Sequence, residues 1–150
     1  MKKFLKEHYR ILLVLAWMLV IFLFSATPGD ESSKQNQLVI EILTALGINI
    51  EGTFGELASF VVRKSAHMSE YFILCVLIYN AFKDKLKGVK TYLCPLALSF
   101  LYACTDEFHQ YFVPGRAEAF KDVMIDTTGA AIFILGLFIV NGIKKKIRNN

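Results

Sequence analysis

Cysteine is scarce in this chain and odd in number. The three, Cys75, Cys94 and Cys104, all fall inside apolar runs. An odd count at such positions argues against a disulfide framework, and no CxxC spacing offers a metal clip. They read as small buried hydrophobes. No HExxH signature occurs, so no standard metal motif points to a bound ion. Ser65 and Ser69 lack a diagnostic nucleophile elbow. There is no internal repeat and no low-complexity tract. Basic residues are nearly missing between positions 27 and 60, where Lys34 stands alone against Asp30, Glu31, Glu41, Glu51 and Glu56. Polar residues are nearly missing from the runs YFILCVLIYNAF and AAIFILGLFIV. That absence argues against an ion or proton carrier, which needs a polar path through the membrane. No nucleic-acid partner is expected, because the positive charge sits in short clusters beside apolar runs.

What is abundant is apolar surface. The chain is 55% hydrophobic with 13 Phe, too apolar for an ordinary soluble domain. Residues 1–150 are read as one membrane domain. A bilayer core of about 30 Å needs about 20 mostly apolar residues per helix. Four stretches answer to that, at about residues 9–26, 61–82, 89–112 and 120–143. The first, ILLVLAWMLVIFLFSA, has the basic start of a signal peptide. Phe24 would stand at −3 for cleavage after Ala26, where a small residue is expected, so the run is read as a retained span. Tyr9 and Trp17 are its interface or packing aromatics. Pro28-Gly29 signals a turn after it. The predicted fold class is all-α: a polytopic membrane protein with four transmembrane helices and a short amphipathic surface helix between spans one and two. That surface helix is read at residues 37–47, QLVIEILTALG, with apolar residues at 38, 39, 42, 43 and 46, a helical period. It is expected to lie on the outer surface or cap the bundle, with Gly47 as its stop.

Lysine and arginine set the orientation. Lys2, Lys3, Lys6 and Arg10 precede span one. Lys83, Lys85, Lys87 and Lys90 link spans two and three. Lys144, Lys145, Lys146 and Arg148 follow span four. With four spans these segments share one side, which predicts cytoplasmic N- and C-termini. The polar half of span two (RKSAHMSE), the end of span three (DEFHQYFVPGR) and the start of span four (KDVMID) would then converge on the outer face.

Charges inside spans cost roughly 2.5–3.5 kcal/mol each at a helix centre on insertion scales, and are usually kept for function. Arg63, His67 and Glu70 stand at i, i+4 and i+7 on one helix face, with Lys64 and Tyr71 on an adjacent stripe. Asp106 or Glu107 pairs with Gln110. The two adjacent carboxylates are expected to diverge, one into the bundle and one toward the rim. His109 is expected to turn toward lipid headgroups. Asp122, Asp126 and Gly129 repeat the i, i+4, i+7 spacing, and Gly129 allows close helix approach. One reading is a self-contained structural network. In it, five carboxylates (Glu70, Asp106, Glu107, Asp122, Asp126) face three cations (Arg63, Lys64, Arg116). The surplus calls for a retained proton, a charged His67 or a bound cation, which gives a second reading, a functional pocket. There, His67, Glu70, Asp106 and Glu107 are the acid/base candidates. Arg63, Lys64, Gln110, Arg116, Asp122 and Asp126 are the substrate-binding candidates, with the cations holding an anionic headgroup. A metal on His67, Glu70, His109 and the Asp residues matches no known spacing and is not expected. No cofactor is indicated.

The blocks RKSAHMSEYFIL, DEFHQYFVPGR and DVMIDTTGA, with the early FSATPGDES, resemble the signature blocks of VanZ-like proteins. The family takes its name from an accessory protein of glycopeptide (teicoplanin) resistance. The resemblance covers roughly residues 20–135. The family pattern DExxQxFxPGRxxxxxDxxxN is met at Asp106, Glu107, Gln110, Phe112, Pro114, Gly115, Arg116 and Asp122. It is broken at Asp126, where the family typically has Asn. The resemblance implies a small bacterial protein of the cytoplasmic membrane, associated with the cell envelope. It links the family to glycopeptide (teicoplanin) tolerance through the founding member. The outward convergence of the polar clusters points to membrane lipids or a lipid-linked envelope component as partner, with a partner membrane protein as the alternative.

Overall fold

Each of the four long apolar stretches folds as a long helix. The computed structural model describes residues 2–116 and 120–149. Its elements are α1 (Lys2–Ser25), α2 (Gly29–Ala45), α3 (Ile50–Phe54), a 3-10 turn (Gly55–Leu57), α4 (Ala58–Phe82), α5 (Lys90–Gln110) and α6 (Phe120–Asn149). No strand occurs among the described residues. Pro28 stops α1 from continuing, since it disfavours helical geometry in the residue before it. Gly47, with φ 86°, ends α2 in the left-handed region that side chains avoid. The side chain of Asn49 opens α3 by accepting from the Gly52 N–H at 2.7 Å.

Two helices are long and apolar enough to cross a membrane unaided, α6 and the His8–Ser25 part of α1. The segment Gly29–Ala45 with Ile50–Phe82, bent by 108°, counts as a third if it is one broken span. The charged ends of α5, Lys90 at its start and Asp106-Glu107 at its finish, keep it out of that group. The described residues are therefore all-helical, with two to three membrane-type spans by length and composition.

The helix α4 sits at the centre and packs on α6, α5, α1 and α2, while α1 and α6 each touch α4 and α5 but not one another among the described residues. The core holds Val14, Ile21, Tyr71, Leu74, Ile78 and Ala103. Trp17 is a packing aromatic: its indole N–H donates to the Glu70 carbonyl at 2.9 Å. Tyr102 donates its hydroxyl to the Met18 carbonyl at 2.6 Å. Many of the largest apolar side chains face outward, among them Leu12, Leu15, Leu19, Leu135 and Phe138. Water would not tolerate so continuous an apolar belt; acyl chains do.

The surface helix differs from its expectation. It starts at Gly29, eight residues before position 37, and runs for 17 residues. Asp30 and Glu31 in its first turn favour a helix N-terminus there. Its buried stripe is Gly29, Ser32, Asn36 and Ile40, small and polar apart from Ile40. Leu38, Val39 and Ile42 point outward, at 57%, 42% and 52% exposure.

Candidate functional site

The three polar clusters meet at one end of the bundle. A seam between α4 and α6 carries most of them. Lys64 Nζ pairs with Asp122 Oδ1 at 2.6 Å. One turn deeper, His67 Nδ1 faces Asp126 Oδ1 at 3.6 Å, just beyond a hydrogen bond. Deeper still the backbones touch: a Cβ on Gly129 would lie 2.0 Å from the Met68 carbonyl oxygen. The expected close approach at Gly129 is what allows the Lys64–Asp122 and His67–Asp126 pairs to form.

The end of α5 closes the site from the side. Gln110 donates to Asp106 Oδ2 at 3.1 Å, as the i, i+4 spacing predicted. The adjacent carboxylates do not split between core and rim: Asp106 is 3% exposed and Glu107 7%. The reason is that α5 packs on α4, α6 and α1, so two different faces of its last turn meet protein. His109 turns to α1 rather than to headgroups, its ring 4.4 Å from that of Phe22.

Arg116 follows α5 and is half occupied by structure. Its Nε donates to the Thr27 carbonyl and its terminal nitrogen to the Phe24 carbonyl, each at 3.1 Å. It thereby caps the last carbonyls of α1. The same turn grips α2, since Gly29 N–H donates to the Pro114 carbonyl at 3.1 Å. A Cβ at Gly29 would lie 2.0 Å from the Gly115 carbonyl oxygen. Burial, and next the Arg63 guanidinium, push the Arg116 pKa down; Asp106, Glu107 and Glu70 oppose the shift. Two guanidiniums therefore act on the same locus.

That locus opens into a cavity of about 580 Å³ between α2 and α4. Arg63, His67, Glu70 and Arg116 form its polar side, and Leu38, Val39, Leu43, Val61 and Val62 its apolar side. Ser32, Gln35 and Asn36 of α2 add a second polar wall. Sequence reasoning missed these three, although Ser32 and Asn36 stand at i, i+4 with Val39 at i+7 and i+3 from them, on one side of the helix. Lys64, Asp106, Glu107, Gln110, Asp122 and Asp126 do not line the cavity. They form the layer behind it.

Several buried polar atoms have no hydrogen-bond partner among the described residues: Asn36 Nδ2, Arg63 Nε, Tyr71 Oη, Asp106 Oδ1 and both carboxylate oxygens of Asp126. Such groups are rare and costly in a finished interior. Among the described residues, no group of three or more His, Cys, Asp or Glu side chains is placed to hold a metal ion. Ser69 spends its hydroxyl on the Ser65 carbonyl at 2.8 Å, a helix-internal bond.

Comparison with curated proteins and with solved structures returns no significant match. The family model described as VanZ/LLP1 matches residues 10–141, from the first turns of α1 to the last third of α6, and the chain belongs to the VanZ/LLP1 family.

Proposed function

We propose that this is a four-span protein of the bacterial cytoplasmic membrane, with both termini in the cytoplasm. In this reading its polar end opens outward and binds or modifies an anionic envelope lipid or lipid-linked component, contributing to teicoplanin tolerance. The observation that carries it is the cavity between α2 and α4. One side is apolar, as an acyl or prenyl chain needs. The other presents Arg63, His67, Glu70 and Arg116, as a charged headgroup needs. Arg63 forms no ion pair among the described residues, so its charge is available to a phosphate or carboxylate. His67 lines the cavity and, with Glu70, is the acid/base candidate if bonds are broken. Asp106 and Glu107, behind the wall, would then act through neighbours.

The test is to purify the full chain from membranes and identify co-purified lipids by mass spectrometry, with and without Arg63→Gln. An anionic lipid enriched with the natural chain and lost with the variant is the expected result. Equal lipid profiles would remove the headgroup role. A second reading, a non-enzymatic interaction protein, is favoured by two bonds in particular. The Lys64–Asp122 pair and the Arg116 cap on α1 occupy cations that a headgroup would use. On that reading Arg63→Gln changes abundance or partner capture but not the lipid profile.

A further inference from the structure

The cavity wall on α4 has an internal order. Arg63, His67 and Glu70 share its face, and their helix positions rise by about 6 Å and then about 4.5 Å. The first position offers donors and positive charge. The next two offer acceptors, provided that the imidazole is held in one tautomer. Asp126 supplies that hold. It is 1% exposed, and neither of its oxygens has a hydrogen-bond partner among the described residues. The atom it faces on His67 is Nδ1, at 3.6 Å. A carboxylate on Nδ1 keeps the proton there and leaves Nε2 as an acceptor. Long contacts of this kind commonly tighten when a site fills. On the donor side, Asn36 of α2 and Arg63 of α4 both line the cavity, and each keeps a buried nitrogen, Nδ2 and Nε, without a partner among the described residues.

From this order we infer that the site selects a phosphate ester whose headgroup carries hydroxyl groups, of the phosphoglycerol or lipid-linked sugar kind, and not merely any anionic lipid. The inference rests on the lipid-binding reading above and deepens it. The phosphate lies at Arg63 and Asn36. The hydroxyls reach along α4 and donate to His67 Nε2 and the Glu70 carboxylate. Asp126 is a positioning residue that never touches the ligand. In this chain it stands where the family pattern typically has Asn, and either side chain presents an oxygen to Nδ1–H.

Binding of the purified full chain to three lipids of identical acyl composition tests this: phosphatidylglycerol, phosphatidic acid and phosphatidylcholine. Charge alone ranks phosphatidic acid at least equal to phosphatidylglycerol, because its phosphate is a monoester. Hydroxyl recognition reverses the order, by about three- to tenfold for one or two hydrogen bonds. Phosphatidylglycerol above phosphatidic acid is the expected result in the natural chain, which needs no variant to fold. His67→Phe should bring phosphatidylglycerol down to the phosphatidic acid level and leave phosphatidic acid unchanged. Nitrogen NMR of labelled histidine should find His67 protonated at Nδ1. Asp126→Asn should keep that tautomer, and Asp126→Ala should lose it together with part of the selectivity. Equal or inverted affinities with phosphatidylcholine weakest would overturn the inference and spare the anionic-lipid reading. No preference over phosphatidylcholine would sink both. An Nε2-protonated His67 in the natural chain would overturn the role given to Asp126.

Discussion

At the scale of single residues, two arginines that look alike in sequence have different duties. Arg116 uses its fork on two backbone carbonyls at the end of α1, while the buried Nε of Arg63 donates to nothing among the described residues. Hydrogen bonds from a charged donor contribute about 1.5–3 kcal/mol. Arg116→Ala is therefore expected to lower stability by about 2 kcal/mol, read as thermal unfolding in detergent. Arg116→Lys should recover little, because an ammonium is a point donor and cannot bridge Thr27 and Phe24 as the planar fork does. Arg63→Ala should leave unfolding within about 0.5 kcal/mol, as for a side chain without partners, while abolishing any preference for anionic lipid. Equal stability losses for the two would mean that the distinction is wrong. Nothing in the spacing of the sequence separates them. Both stand beside polar clusters, and only the meeting of the PGR turn with the end of α1 reveals the cap.

At the scale of elements, the α4–α6 seam and α2 show where sequence reading succeeds and where it stops. The i, i+4, i+7 series at Asp122, Asp126 and Gly129 is legible because a helix fixes which residues share a face. Its partner stripe is equally legible in kind, but the pairing of Lys64 with Asp122 and His67 with Asp126 depends on helix register, which a sequence does not carry. Gly129→Ala tests the seam. The added methyl would meet backbone, the Met68 carbonyl at 2.0 Å, which cannot rotate away. A loss of about 1–3 kcal/mol is expected, as for an overpacked interior, with weakened Lys64–Asp122 pairing. The same stability as the natural chain would mean that the helices are further apart. The helix α2 was read only in its apolar half, because Ser32 and Asn36 give no hydrophobic period to count. The periodic residues were real, but they do not enter the core: Leu38, Val39 and Leu43 line the open cavity, and Ile42 is exposed. In water the apolar face of a helix turns inward; on the lipid-binding proposal Leu38 and Val39 meet acyl chains instead. Spin labels at Leu38 and Val39 are expected to collide with oxygen dissolved in the bilayer, and a label at Gln37 with a water-soluble nickel chelate. Nickel access at all three positions would put α2 wholly in water.

At the scale of the whole molecule, the two ends differ in kind. Arg10 pairs with Asp84 at 2.6 Å, and Asn141 donates to the Tyr92 hydroxyl at 3.1 Å. These contacts gather the start of α1, the end of α4, the start of α5 and the last third of α6 at one end, with the lysine clusters. The Arg116 cap and the Lys64–Asp122 pair gather the opposite termini at the other. Every long helix therefore runs between the same two ends, antiparallel to its chain neighbour. By composition α5 does not qualify as a span, yet it has 21 residues, about 31 Å at 1.5 Å each, and it is laced to helices that do qualify. A helix so placed cannot leave the membrane without taking its partners along, because its Asp106, Glu107 and Gln110 are buried against them. The four-span proposal rests on this geometry. On that proposal the sign of the orientation rests on lysine retention on the cytoplasmic side. Single cysteines settle both points in intact cells with an impermeant thiol reagent, in a background where Cys75, Cys94 and Cys104 are replaced by Ala. Glu56→Cys, between α3 and α4, should label from outside, and Lys87→Cys, between α4 and α5, only after the membrane is permeabilised. Labelling of both from outside would make α4 a re-entrant element instead of a span. The reverse pattern would turn the cavity to the cytoplasm and end the outer-leaflet reading, leaving the fold untouched.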